Sequence, residues 1–154
     1  MLTMPLTMEP PLPVESRPKP QAAAAKVFVV EDDDEMRSLV EEMLREEGYR
    51  AAGAPDTFTA LLHLLAEGAD VLVTDWKMPV MDGLALLDSV RRCMPGLPVV
   101  FVTAYADRSL RQRALDRGAS SFLAKPFQRD DLLAHVRAAL SRRQVRATSG
   151  PGRC

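Results

Sequence analysis

Apolar residues recur along the chain with two alternating periods. Val27–Val30 is a short apolar run rich in β-branched residues, the pattern of a strand covered on both faces. Met36, Leu39, Val40, Met43 and Leu44 then fall at helical spacing, and Gly48 stops that helix. Tyr49–Ala52 is a weaker candidate strand. Phe58, Leu61, Leu62 and Leu65 return to helical spacing, closed by Gly68. Val71–Thr74 is the second strong strand run, followed by a third helix through Leu84, Leu87, Val90 and Met94 that Pro95 and Gly96 end. Val99–Val102 is the third strong strand, and a helix from about Asp107 ends at Gly118. Ser121–Ala124 is a short strand of weaker pattern, and Leu132, Leu133, Val136 and Leu140 mark the last helix.

Five strand–helix units in strict alternation predict an α/β fold, a parallel sheet with helices on both faces. The continuous apolar strands agree, because a parallel sheet is buried on both sides. No internal repeat is visible. Residues 1–25 differ from the rest, with Pro5, Pro10, Pro11, Pro13, Pro18 and Pro20 blocking helix and ladder. They are expected to form an extended or disordered leader. Pro10 to Pro13 has the spacing of a PxxP ligand, but a plain leader is the simpler reading. The folded domain is placed at 26–141, and 142–154 is expected to be a flexible basic tail.

Composition narrows the function classes. A chain of 154 residues sets a prior of one domain, which at this size buries about two-thirds of its unfolded surface. A net charge of −1 argues against a dedicated nucleic-acid binder or a polybasic membrane protein. Two cysteines without a CxxC spacing suggest neither a disulfide framework nor a metal knuckle; Cys93 reads as a helix residue and Cys154 as a tail thiol. No apolar run approaches membrane-spanning length, and the N-terminus lacks a basic region leading into an apolar core. A cytoplasmic location is expected.

In open parallel sheets, ligands bind beyond the carboxyl ends of the strands. Glu31, Asp32, Asp33 and Asp34 follow the first strand, Asp75 the second strong strand, Thr103 the third, and Lys125 with Pro126 the last. The topology therefore gathers acidic groups, one hydroxyl and one ammonium that the sequence separates. Carboxylates crowded together repel, and a hard divalent cation such as Mg2+ or Ca2+ resolves the repulsion. Mg2+ keeps coordination positions for phosphate oxygens, and a lysine and a hydroxyl supply charge and a hydrogen bond to those oxygens. A carboxylate can itself become an aspartyl phosphate. With neither a GxxxxGK[ST] loop nor a GxGxxG, a nucleotide is not the obvious donor.

Four segments together resemble the receiver domain of two-component response regulators. VFVVEDDDEMR resembles the family's acidic first-strand motif, VLVTDWKMPVMDG its phosphoacceptor strand and loop, VVFVTA its fourth strand with a switch hydroxyl, and FLAKPF its fifth strand with lysine and proline. The four occur in order at the family's spacing, and the match covers about Lys26 to Leu140. The resemblance implies a flavodoxin-like doubly wound (βα)5 fold with sheet order 2-1-3-4-5, of the chemotaxis-regulator type.

The resemblance also implies roles. Asp75 would accept a phosphoryl group from the phosphohistidine of a histidine kinase or phosphotransfer protein, in a Mg2+-dependent reaction. Asp32, Asp75, Glu31 (through water) and the backbone carbonyl of Lys77 would hold the metal. Thr103 and Lys125 would bond phosphoryl oxygens, with a cis Lys125–Pro126 bond. Phe122, at the aromatic switch position, would follow Thr103 inward and alter a protein-binding surface on the fourth helix, fifth strand and fifth helix. The protein would be no enzyme beyond its own phosphorylation and dephosphorylation.

Glu31 departs from the commoner aspartate. Lys77 and Tyr105 border the entrance and are expected to tune the lifetime of the phosphorylated state. Asp33 or Asp34, and Asp82, read most simply as helix caps, Trp76 as packing on its loop, and His63 and His135 as ordinary helix positions. Arg137, Arg142, Arg143 and Arg146 read as a solvated helix face without interleaved aromatics, so direct nucleic-acid contact is not expected.

Thirteen residues follow Ser141, too few for a DNA-binding output domain. Output is expected to pass through a partner protein, unless the chain is a fragment of a longer regulator. A phosphate-independent binding module is the rival, and intact Asp32, Asp75, Thr103 and Lys125 count against it. A small aspartyl-phosphate phosphatase would want a second carboxylate just downstream of Asp75, where Trp76 and Lys77 stand. Dimerisation, which receiver domains often achieve through the fourth and fifth helices, is left open.

Overall fold

Alternate residues of each strand point to opposite faces of one sheet, and each face is closed by its own set of helices. The computed structural model describes residues 24–78, 82–104 and 107–146. In chain order the elements are β1 (Lys26–Val30), α1 (Asp34–Glu46), β2 (Arg50–Ala54), α2 (Thr57–Glu67), β3 (Val71–Thr74), α3 (Gly83–Cys93), β4 (Val99–Thr103), α4 (Arg108–Asp116), β5 (Ser121–Ala124) and α5 (Arg129–Arg146). The strands lie in the order β2-β1-β3-β4-β5, all parallel. This is the expected doubly wound sheet, in the expected order.

Val27, Val29, Val71, Val73, Val100 and Val102 face α1 and α5, where Val40, Leu44, Leu132, Leu133 and Val136 complete one core. Phe28, Val30, Leu72, Val99 and Phe101 face the other way, onto Ala60 and Leu64 of α2, Leu86, Leu87 and Val90 of α3 and Ala114 of α4. The three strong strand runs thus contribute to both cores, which is why they show no polar alternation. Truncating the fully buried Phe101 to alanine would cost about 3–5 kcal/mol.

The first four βα turns are each fastened by an aspartate. Asp33 Oδ1 accepts from the backbone N–H of Glu35 and Met36 at the start of α1. Asp56, Asp82 and Asp107 cap α2, α3 and α4 in the same way. Asp34 is instead the first residue of α1 and pairs with Arg37 at 2.6 Å.

The structure moves two boundaries. The second strand is Arg50–Ala54, not Tyr49–Ala52; its RAAGA sequence has no hydrophobic period, and pairing with β1 alone places it. The last helix runs to Arg146, so 142–146 is helix and not tail. No glycine or proline interrupts the chain there before Gly150. Arg142 donates to the Ser120 carbonyl at 2.5 Å, and Arg143 donates to the Ala69 carbonyl. The leader prolines, Tyr105 and Cys154 lie outside the described residues. Cys93 ends α3 and is not a free thiol.

Candidate functional site

Parallel pairing carries the ladder one residue past several strand ends and so fixes the backbone of the residues there. The Glu31 N–H donates to the Ala54 carbonyl at 3.2 Å, the Asp75 N–H to the Val30 carbonyl at 3.0 Å, and the Lys125 N–H to the Thr103 carbonyl at 2.8 Å. Four strands thereby present Glu31, Asp75, Thr103 and Lys125 along one edge of the sheet. The Lys125–Pro126 bond is cis, as expected.

Glu31, Asp32 and Asp75 each offer a carboxylate oxygen, and these atoms lie within 4.8 Å of one another. Lys125 reaches across them, its Nζ donating to Glu31 Oε2 at 2.9 Å and to Asp75 Oδ2 at 3.0 Å. The other Asp75 oxygen, Oδ1, accepts from the backbone N–H of Trp76 at 2.6 Å and of Lys77 at 3.3 Å. Asp32 is exposed at the mouth, whereas Glu31 is buried.

Burial pushes the Glu31 carboxyl up to about 7, and the Asp75 charge adds to the rise against the opposing pull of Lys125. Burial works against the Lys125 ammonium, but its hydrogen bonds to Glu31 and Asp75 and their charges outweigh that and hold it above its ordinary value. Three carboxylates face one lysine here, so the cluster carries more negative charge than the lysine offsets. Three convergent carboxylates with all-oxygen chemistry fit a hard divalent cation, which would relieve that excess.

Thr103 is fully buried at the end of β4. Phe122, on β5, is half-buried with its ring 6.0 Å from that of Phe101, which lies 5.6 Å from Trp76. A row of three aromatic rings therefore runs from the residue after Asp75 to β5. Trp76 packs against the core beside Phe101 rather than on its loop. His63 stacks on Phe28 with 4.3 Å between ring centroids, and His135 Nδ1 lies 2.9 Å from Ser121 Oγ; neither belongs to the cluster. Asp33, Asp34 and Asp82 stay out of it as caps or helix residues.

Two contributors carry no role in the sequence reading. Arg37 donates to the Glu31 carbonyl at 2.9 Å and so holds the acidic turn. Gly83 donates its N–H to the Trp76 carbonyl at 2.7 Å. A Cβ there would stand 2.7 Å from the Asp75 carbonyl oxygen and 2.6 Å from the Phe101 ring. Both residues lie inside the motif segments, where only close backbone approach reveals their part.

The geometry has counterparts among known proteins. Residues 27–137 match the family model of the response regulator receiver domain. The chain is 34% identical over 124 residues to the C4-dicarboxylate transport transcriptional regulatory protein DctD of Rhizobium meliloti, covering 80% of this chain and 27% of that one. It is 36% identical over 124 residues to the transcriptional regulatory protein PrrA of Mycobacterium tuberculosis, covering 80% and 53%. The chain thus spans between about a quarter and a half of these relatives. The solved structure of the Vibrio cholerae chemotaxis protein CheY4 superposes with a TM-score of 0.72 at 31% identity, over 77% of this chain and all of that one.

Proposed function

The chain belongs to the response regulator receiver domain family, and on that premise we propose that Asp75 is its phosphoacceptor, charged from the phosphohistidine of a kinase or phosphotransfer protein. The observation that carries this reading is the pair of contacts from Lys125 to Asp75 and Glu31 beside Asp32. An acceptor carboxylate in this setting already has its counter-cation in place.

In the proposed step an Asp75 carboxylate oxygen attacks phosphorus. The P–N bond of the donor breaks as the O–P bond forms, and the bonding pair leaves on the imidazole nitrogen, which takes up a proton. Lys125 then passes from the Asp75 carboxylate to a phosphoryl oxygen, where its charge offsets what the transfer delivers. The N–H groups of Trp76 and Lys77 hold the acceptor in register. Thr103 supplies the hydroxyl that reports the phosphoryl group to Phe122. Asp32, Asp75, Glu31 through water and the Lys77 carbonyl are the residues that would hold Mg2+. When bound, the ion withdraws charge from the transferring phosphoryl group.

Switching is read by a protein partner in the cytoplasm. No described helix is long and apolar enough to cross a membrane. The longer relatives leave open a further output region on the same polypeptide. Incubation with Mg2+ and a small-molecule phosphodonor, read by intact mass, tests the proposal. One phosphoryl adduct is expected, lost in Asp75→Ala and with a chelator. No adduct under any condition would leave a phosphate-independent binding module.

A further inference from the structure

Among the described residues, α2 carries three of the four exposed large apolar side chains, the fourth being Leu39 of α1. Phe58, Leu62 and Leu65 stand at i, i+4 and i+7, on one stripe, and are 69%, 54% and 58% exposed. The helix, TFTALLHLLAE, carries no Asp, Glu, Lys or Arg before Glu67. Its inward residues Ala60 and Leu64 already complete the core, so the stripe is surplus to the fold.

The chain enters the domain at the foot of this helix. Lys26 N donates to Asp70 Oδ2 at 2.7 Å and Lys26 Nζ to the Glu67 carbonyl at 3.4 Å. The Asp70 N–H in turn donates to the Lys26 carbonyl at 2.8 Å. The described chain therefore begins beside the C-terminal end of α2, and residues 1–23 precede it in sequence. Their sequence holds Leu6, Met8, Leu12 and Val14 between prolines. The fourteen positions from Leu12 to Lys26 reach about 43 Å in the extended form prolines favour, against roughly 10 Å from Leu65 to Phe58 along the helix.

Area decides between occupants. Three side chains exposed to this degree offer about 300–350 Å², well short of the roughly 800 Å² per partner of a stable dimer. A tethered segment needs far less, because a short linker holds it at about millimolar effective concentration. Proline also lowers the ordering entropy of the docked segment. We propose that the segment 1–23 docks back onto the Phe58–Leu62–Leu65 stripe of α2 and shields it.

The test uses the full ¹⁵N-labelled chain and two variants, Leu62→Gln on the helix and the triple change Leu6→Ser, Met8→Ser and Leu12→Ser in the segment. Unchanged strand amides in both confirm the fold. Docking predicts reciprocal effects: Leu62→Gln moves the amide resonances of the segment to random-coil positions and raises its fast mobility, and the triple change shifts the amides of 57–67. Segment resonances that are random-coil in the parent and indifferent to Leu62→Gln would overturn the proposal. So would shifts of 57–67 that follow protein concentration and ignore the triple change, since a second copy would then cover the stripe.

Discussion

Lys125 Nζ lies 3.0 Å from Asp75 Oδ2 and, with the same ammonium, 2.9 Å from Glu31 Oε2. One cation thus neutralises carboxylates from two strands that are neighbours in the sheet, while Lys125 itself comes from the far edge at β5. The contact ties β5 to the centre of the sheet across β4. On the proposed reading, a phosphoryl group on Asp75 would change what Lys125 faces, and the strand carrying Phe122 would feel the change directly.

Replacing Lys125 with glutamine removes that cation and leaves the acidic groups to one another. The side chains of the pairs are only 7–18% exposed, so the loss is not screened away. Without metal at neutral pH, denaturant unfolding should show a loss of about 1–3 kcal/mol. Mg2+ should recover part of it by supplying positive charge. Unchanged metal-free stability in Lys125→Gln would show that the bridge carries no net energy.

Gly83 fixes how closely α3 approaches the loop after Asp75. An alanine methyl would meet the Asp75 carbonyl oxygen at 2.7 Å, a backbone atom that cannot turn aside, and the Phe101 ring at 2.6 Å. The helix start must shift outward, and Gly83→Ala should cost about 1–3 kcal/mol. Because the shift passes through Trp76 to Asp75, the rate of phosphoryl uptake from a small donor should fall too. Thermal unfolding and adduct formation, measured on the same sample, check both parts.

The same contacts show what could be read from the sequence and what could not. β1, β3 and β4 announce themselves because they are buried on both faces; Glu31 and Asp75 directly follow β1 and β3, and Thr103 ends β4. The caps Asp33 and Asp82 were legible because capping is local. β2 lies at Arg50–Ala54 rather than Tyr49–Ala52 because Ala and Gly carry no period to mark its ends. The end of α5 is not legible in the sequence because a basic composition reads as solvent, whereas Arg142 and Arg143 donate back onto carbonyls before β5 and β3. Gly83 and Arg37 act through backbone contacts across the turn, which no spacing encodes. Nor does the sequence order show that Phe101 links Trp76 to Phe122.

Lys77 stands two residues beyond the acceptor, its N–H on Asp75 Oδ1 and its side chain at the exposed mouth. On the proposed reading, a cationic chain there would crowd the path of a water attacking the aspartyl phosphate. Lys77→Asn should shorten the phosphorylated lifetime, by up to about tenfold, equivalent to roughly 1.4 kcal/mol of barrier. Decay of the mass adduct after donor removal gives the rate. Equal decay in parent and variant would remove Lys77 from the control of lifetime.

The burial of Glu31 gives the acidic cluster a pH dependence of definite sign. Its carboxyl is pushed up to about 7 in the folded protein from 4.5. Between those values the folded state holds a proton that the unfolded state has released, so this group's contribution to stability falls as pH rises through the window. It is fully present below the lower value and gone above the upper one. Other carboxylates titrate nearby, so the measurement is the difference in melting temperature between the parent and Glu31→Gln. That difference should move against the parent as pH climbs from about 4.5 to about 7 with chelator present. On the proposed reading Mg2+ binds the ionised carboxylate, so its stabilising effect should grow over the same window and level off above it. At tenfold excess over the dissociation constant that effect is about 1.4 kcal/mol, a rise of roughly 3–6 °C for a domain of this size. A Mg2+-induced rise that is equally large at both ends of the window would mean that Glu31 does not titrate in the metal site.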